Sequence, residues 1–355
     1  MSEAVSNAGV QPMAPWLQAQ LQLLLSRRAH AILLSGPSGL GQYDLALALA
    51  SAWLCQAPSE QGACGHCASC HAISVRTHPD LCVLMPEALS LELNWPLDEK
   101  VQNELDTKKR KPSKDIKVEA AREAVAFTQM TRSGGDTKVV LVYPAERMNS
   151  ITANAMLKTL EEPVGQVRFI LASEAADQLL PTLRSRCQNH TLVWPAFDEA
   201  LAWLTVRVGE GRAAVDARDL RVLLAAAGGR PDDVLTRLRD TDAKHAANHW
   251  RGLPKAVARG DASALAGWAP AQAVEALQKL CHDVWALRLG AAPRYFDAAD
   301  LGPVRAGSAG RAALYAMGSW SRELAASARS AEHPFNAGLM IEALVSRAQH
   351  ALQAQ

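Results

Sequence analysis

The sequence predicts an α/β module built on a doubly wound parallel sheet and followed by all-helical domains. An apolar strand runs into a glycine-rich turn and then a helix at residues 31–44. Strand-like and helical patterns alternate from 31 to 193, as a parallel sheet with crossover helices requires. Beyond Trp194-Pro195 the strand signals vanish. The expected division is therefore an α/β domain at 1–194, a small helical domain at 195–243 and an all-α domain at 244–355.

Residues 15–28 open with a helical pattern, Leu17, Leu21, Leu24 and Leu25 forming its apolar stripe. The 31–35 strand then feeds a turn with the outline of a phosphate-binding loop, Gly36 and Gly41 at its glycine positions and Gly39 between them. In a working loop, G-x-x-x-x-G-K-[ST], backbone N–H groups cradle the phosphates, the lysine neutralises β/γ oxygens and the hydroxyl holds Mg²⁺. Here Gln42 replaces the lysine and Tyr43 the hydroxyl. Asp44 follows in the first helical turn, where a carboxylate repels a triphosphate. Only the backbone donors of Gly36, Gly39 and Gly41 remain to contact a nucleotide, without turnover.

After an alanine- and leucine-rich helix at 45–54 come Cys55, Cys64, Cys67 and Cys70, spaced C-x8-C-x2-C-x2-C. Four thiolates close a tetrahedral shell around Zn²⁺ and leave no open position, so the expected metal is structural. Cys82, Cys187 and Cys281 lack partner spacing and read as core residues. Thr77-His78-Pro79-Asp80 leads into a strand at 81–85, with His78 read as a turn residue. Residues 86–114, with mixed charge and the run Lys108-Lys109-Arg110-Lys111, read as a solvated insertion.

Helical spacing returns at 116–130, and Ser133-Gly134-Gly135 turns the chain into a buried strand at 138–142. In a P-loop ATPase this strand ends in Asp-Glu, for Mg²⁺ and the attacking water. This one ends in Tyr143-Pro144, a second and independent loss. A helix capped at Asn149 or Ser150 runs to Glu162 before Pro163, a strand follows at 168–173, and a short helical turn spans 179–187. Helices are then expected at 197–208, 219–227, 232–238, along the stripe Val274, Leu277, Cys281 and Val284, at 311–328 and at 334–352.

Composition sets the outer limits. With 355 residues, 49% hydrophobic, 21% charged and a net charge of +1, the chain calls for neither a membrane span nor a nucleic-acid partner. The N-terminus carries no basic stretch before an apolar core, so the expected location is the cytoplasm.

These features occur in one order: the 36–43 loop, four cysteines, Thr77-His78-Pro79-Asp80, Asn154-Ala-Met-Leu-Lys-Thr-Leu-Glu-Glu-Pro163, and Leu183-Arg-Ser-Arg-Cys187. In that order they resemble the delta-prime subunits of the bacterial DNA polymerase III clamp loader, of the AAA+ family. The likeness runs from about residue 12 to the C-terminus and thins in the last hundred residues, where His333-Pro-Phe-Asn336 is the remaining echo. It implies an AAA+-like first domain, a helical lid at 195–243 and an oligomerisation collar at 244–355. It also implies a hetero-oligomer with gamma/tau motor subunits and the delta subunit, acting indirectly on the sliding clamp and primer-template DNA. Arg186 would be the arginine finger given in trans to a motor's ATP, and this chain would not hydrolyse ATP. Ser173 stands where active relatives sense the γ-phosphate, and Pro231, beside Arg230, where they carry a second sensing arginine. Lys158 is placed near the DNA-facing interior. The rival readings are a divergent ATP-hydrolysing motor subunit and a zinc-dependent nucleic-acid-binding protein.

Overall fold

The computed structural model describes residues 13–27, 29–209, 215–239, 241–304, 310–331 and 336–353. They fall into two compact units, Met1–Trp194 and Pro195–Gln355.

In the first unit, α1 (Pro15–Leu25) starts on a proline whose missing N–H costs nothing at that position, and it buries Trp16, Leu17, Leu21 and Leu24. It stops short of Arg28, which lies outside the described residues. Strand β1 (Ala31–Ser35) is buried throughout. Gly39 and Gly41 take left-handed φ values of 77° and 87°, a conformation that costs a glycine little. The turn they make opens α2 (Gln42–Leu54), and Cys67 caps α3 (Ala68–Ser74) by accepting the Cys70 N–H.

Strand β2 (Leu81–Leu84) precedes α4 (Glu87–Glu92), α5 (Glu99–Asp106) and α6 (Val118–Gln129). Then β3 (Lys138–Val142), α7 (Ser150–Glu161), β4 (Val167–Ser173), α8 (Pro181–Arg184) and β5 (Gln188–Thr191) complete the unit. Asn149 caps α7, its Oδ1 accepting the Thr152 N–H at 2.8 Å.

All pairings are parallel, in the order β2-β3-β4-β1-β5. In such sheets ligand sites lie outside the carboxyl ends of the strands. The register sets Ser35 of β1 beside Ser173 of β4, and Val142 of β3 beside Leu171. The glycine turn, Tyr143 and Glu174 therefore leave the sheet at one edge.

The expected insertion at 86–114 is solvated along its basic run, where Lys108, Lys109 and Lys111 are exposed and α5 buries no residue. It is nonetheless ordered into α4 and α5, and Glu87, 9% exposed, ties Arg110 and the following Lys117 to it. Arg110 forks onto both Glu87 oxygens, Lys117 Nζ reaches Oε1 at 2.6 Å, and the Ser113 N–H reaches Oε2 at 2.9 Å. Arg110 Nε also meets Glu104 at 2.8 Å. Burial alone would raise the Glu87 carboxyl, but these donors override it and hold it at about 2.

The second unit is helical among its described residues. It comprises α9 (Phe197–Gly209), α10 (Ala217–Ala226), α11 (Pro231–Arg237), α12 (Ala243–Ala258), α13 (Pro270–Arg288), α14 (Arg311–Ser330) and α15 (Ala337–Gln353). Helix α12 serves two cores. Its Ala243 and Ala247 join Leu204, Leu220 and Val234, while Trp250, Leu253 and Val257 join Leu277, Trp320 and Val345. Asp283, fully buried, anchors the chain after α13 by accepting the N–H groups of Arg294, Tyr295 and Phe296. That places Phe296 flat on Trp250, ring centres 4.5 Å apart. Of His333-Pro-Phe-Asn336, residues 333–335 lie outside the described residues; Asn336 Oδ1 accepts the Leu339 N–H at the start of α15.

Candidate functional site

The glycine turn is occupied by the chain itself. Gln42, 2% exposed, folds its side chain back into the loop, where Nε2 donates to Gly36 O at 2.8 Å and Pro37 O at 2.6 Å. A lysine at this position extends toward phosphate; the shorter, neutral amide ties down the loop's own carbonyls. At Gly36 a Cβ would stand 3.4 Å from both Leu192 and Leu40, close packing just short of a clash.

Tyr43 completes the closure. Its hydroxyl accepts the Trp95 indole N–H at 2.6 Å, and its ring lies 5.4 Å from that of Tyr143. Tyr143 in turn donates to Glu174 Oε1 at 2.7 Å, and Glu146 Oε1 accepts the Glu174 N–H at 3.1 Å. The Arg76 guanidinium stacks on Trp95, 4.7 Å from its centre. Burial raises both phenols, Tyr143 far beyond the ordinary range with Glu174 adding to the effect, so both stay neutral. Two phenols thus stand where a working site has its metal-binding hydroxyl and Asp-Glu pair. Ser173 is fully buried and its Oγ accepts the Ala175 N–H at 3.3 Å. Trp95, Arg76 and Glu174 escape sequence reasoning; a tryptophan inside an otherwise charged insertion is the signal that could have found the first.

The four cysteines converge at the C-terminal end of α2. Their sulfur atoms all lie within 4.8 Å of one another, with separations of 3.7 Å (Cys70–Cys55), 3.8 Å (Cys55–Cys67) and 3.9 Å (Cys64–Cys70). A tetrahedron with metal–sulfur bonds of about 2.3 Å has edges of about 3.8 Å, so the donor set fits a Zn²⁺-sized ion. Backbone N–H groups of Ala57 and Cys64 point at Cys55 Sγ, at 3.4 and 3.3 Å. The N–H groups of Cys70 and Gln56 bring Cys67 down to about 6, whereas burial pushes Cys70 up to about 12. A cation would bring all four to thiolate. Burial likewise pushes the isolated thiols of Cys82, Cys187 and Cys281 up to about 11, 12 and 12.

His78 ties this centre to the sheet. Its Nδ1 accepts the Asp80 N–H at 3.1 Å, which leaves Nε2–H to donate to Ser69 Oγ at 2.8 Å, and Ser69 donates to Leu54 O. Burial lowers the imidazole, consistent with that neutral role.

Arg186 lies elsewhere. It precedes β5, whose Gln188 pairs with Ile32, so it sits at the amino edge of the sheet while the glycine turn leaves the carboxyl edge. The length of β1, about 16 Å, separates them. Arg186 Nε and Nη2 donate to Glu161 Oε2 at 3.0 and 2.9 Å, and Nη1 donates to Thr182 O at 2.8 Å. An ion pair this open is worth about 0.2–1 kcal/mol. Lys158 and Arg184 are exposed. Arg230, beside the buried Pro231, is held within the second unit by Asp233 and Glu275, each at 2.8 Å.

A five-stranded parallel sheet in the order 2-3-4-1-5, with a glycine turn after β1, defines an AAA+-like P-loop module, here with its nucleotide loop filled. The chain belongs to the DNA polymerase III delta-subunit family, whose description, "DNA polymerase III, delta subunit", matches residues 15–194. It is 39% identical over 221 residues to DNA polymerase III subunit delta' of Pseudomonas aeruginosa, covering 61% of this chain and 58% of that one. To subunit delta' of Escherichia coli it is 35% identical, covering 55% and 53%. To subunit tau of the same organism it is 29% identical, covering 60% of this chain and 29% of tau. The chain thus spans a little over half the length of the delta' relatives it matches.

Proposed function

We propose that this chain is a non-hydrolysing clamp-loader subunit that completes a neighbour's ATP site rather than running one of its own. The observation that carries this reading is the pairing of a loop plugged by Gln42 with an arginine at the opposite edge of the sheet. Arg186 and the chain's own glycine turn lie at opposite ends of β1, a strand about 16 Å long, so on this reading the nucleotide it serves belongs to another subunit. Its planar, permanently charged guanidinium suits the charge that develops on a transferred γ-phosphoryl group.

The gamma/tau motor subunits would receive Arg186, the delta subunit would be bridged to them, and the sliding clamp would be placed on primed DNA in the cytoplasm. Residues 195–243 would act as lid and 244–355 as collar. Zinc held by Cys55, Cys64, Cys67 and Cys70 would staple the segment between α2 and α3 and take no part in the chemistry.

The test is clamp- and primed-DNA-stimulated ATP hydrolysis by the assembled motor and delta subunits, with this chain unchanged or carrying Arg186→Ala. Fingers of this kind are worth about 10³ to 10⁵ in rate, so turnover at the completed site collapses while assembly persists. Unchanged turnover in an intact complex overturns the reading.

A further inference from the structure

Arg186 is gripped along its side and left open at its tip. Nε and Nη2 share one Glu161 oxygen, and Nη1 meets Thr182 O. Three of the five guanidinium N–H groups are thereby used. One N–H on each terminal nitrogen is left without a partner among the described residues, and those two nitrogens form the fork that meets phosphate oxygens in pairs.

The grip comes from two different elements. Glu161 is the last residue of α7 and Thr182 lies in α8, so the guanidinium is pinned between two helix ends. The end of α7 is itself fixed to the sheet, since Leu160 is fully buried and its carbonyl meets His30 Nε2 at 3.0 Å. Arg186 is partly exposed, its side chain 29% accessible, and Glu161 is 57% accessible. Without the carboxylate, a long side chain at this edge would sample many rotamers and spend little time aimed at a neighbour.

We infer that Glu161 is a positioning residue: it holds the Arg186 guanidinium by its Nε edge so that the free terminal N–H pair is presented to the phosphates of a nucleotide on an adjoining subunit. This rests on the finger reading above and names the residue that orients the finger. Glu161 touches neither nucleotide nor metal and acts through Arg186 alone.

The experiment uses the full chain in the assembled clamp loader, with Glu161→Ala, Glu161→Gln, Arg186→Ala and the double variant Glu161→Ala/Arg186→Ala. ATP turnover is measured against ATP concentration, and assembly and thermal stability are checked for each. Glu161→Ala is expected to lower turnover at saturating ATP roughly fivefold with the half-saturating concentration unchanged, because a misaimed group costs rate rather than binding. Glu161→Gln keeps an acceptor oxygen for the Nε edge and recovers part of that loss. In the Arg186→Ala background, removing Glu161 changes nothing further.

Turnover with Glu161→Ala equal to or faster than that of the unchanged chain, alongside a slow Arg186→Ala, overturns the positioning role and leaves the finger standing. Losses that add fully in the double variant also overturn it, since Glu161 would then act on its own. An Arg186→Ala complex that turns over normally removes the finger and the positioning role together, a failure read from a different variant.

Discussion

Gln42 shows how one side chain closes a nucleotide loop. It supplies two donors to two carbonyls that would otherwise face the loop's interior, and it does so while almost fully buried. Removing it leaves Gly36 O and Pro37 O unpaired, a cost of about 1–3 kcal/mol. Gln42→Ala should lower the urea midpoint of the purified chain accordingly, with the slope of the transition unchanged. Gln42→Lys should not restore nucleotide binding, as titration calorimetry with Mg-ATP would show, because Tyr43, Trp95 and Tyr143 still stand where the metal and its ligands would go. The replacement of lysine was legible in the sequence, since a motif names the residue that is missing. What fills the space was not: Tyr43 and Trp95 are 52 residues apart, and no local periodicity encodes a contact of that range.

At the level of elements, the four-cysteine segment and the insertion behave differently toward acid. Protons compete with a metal for thiolates, so retained zinc should fall as the pH drops, and Cys70→Ser should lose metal at neutral pH by elemental analysis. The insertion depends on Glu87, whose carboxyl is held near 2 against an ordinary 4.5. A depressed carboxyl contributes stability above its unfolded value, and that stability is lost as the pH falls through the interval from about 4.5 to 2. Protection against hydrogen exchange across residues 86–117, referenced to the intrinsic amide rate at each pH, should therefore fall in that interval, and Glu87→Gln should show the lower protection already at pH 6. The apolar runs at 31–35, 81–85, 138–142 and 168–173 announce four strands, whereas β5 is polar, with His190 its one buried residue. An edge strand has one neighbour and solvent on its other side, so no apolar pattern is required of it. Helix α12 was likewise hidden, with Pro254 inside it and its apolar residues divided between two cores.

Across the whole molecule, the sharing of α12 decides how the second unit comes apart. Trp250 packs on Phe296 and its indole N–H donates to Tyr295 O at 3.0 Å. Trp250→Ala should cost about 3–5 kcal/mol. Because one helix feeds both cores, native-state hydrogen exchange should show protection lost in α9–α11 together with α13–α15, rather than in one group alone. The remaining consequence concerns the first unit, where the arginine and the filled loop occupy opposite edges of one sheet. Units that each lend an arginine forward and accept one behind can be strung into a series of any length. On the role proposed for Arg186, this chain lends without accepting and closes such a series on one side, so its place in a row is fixed by handedness alone, and a row holding two such units would leave one arginine with nothing to serve.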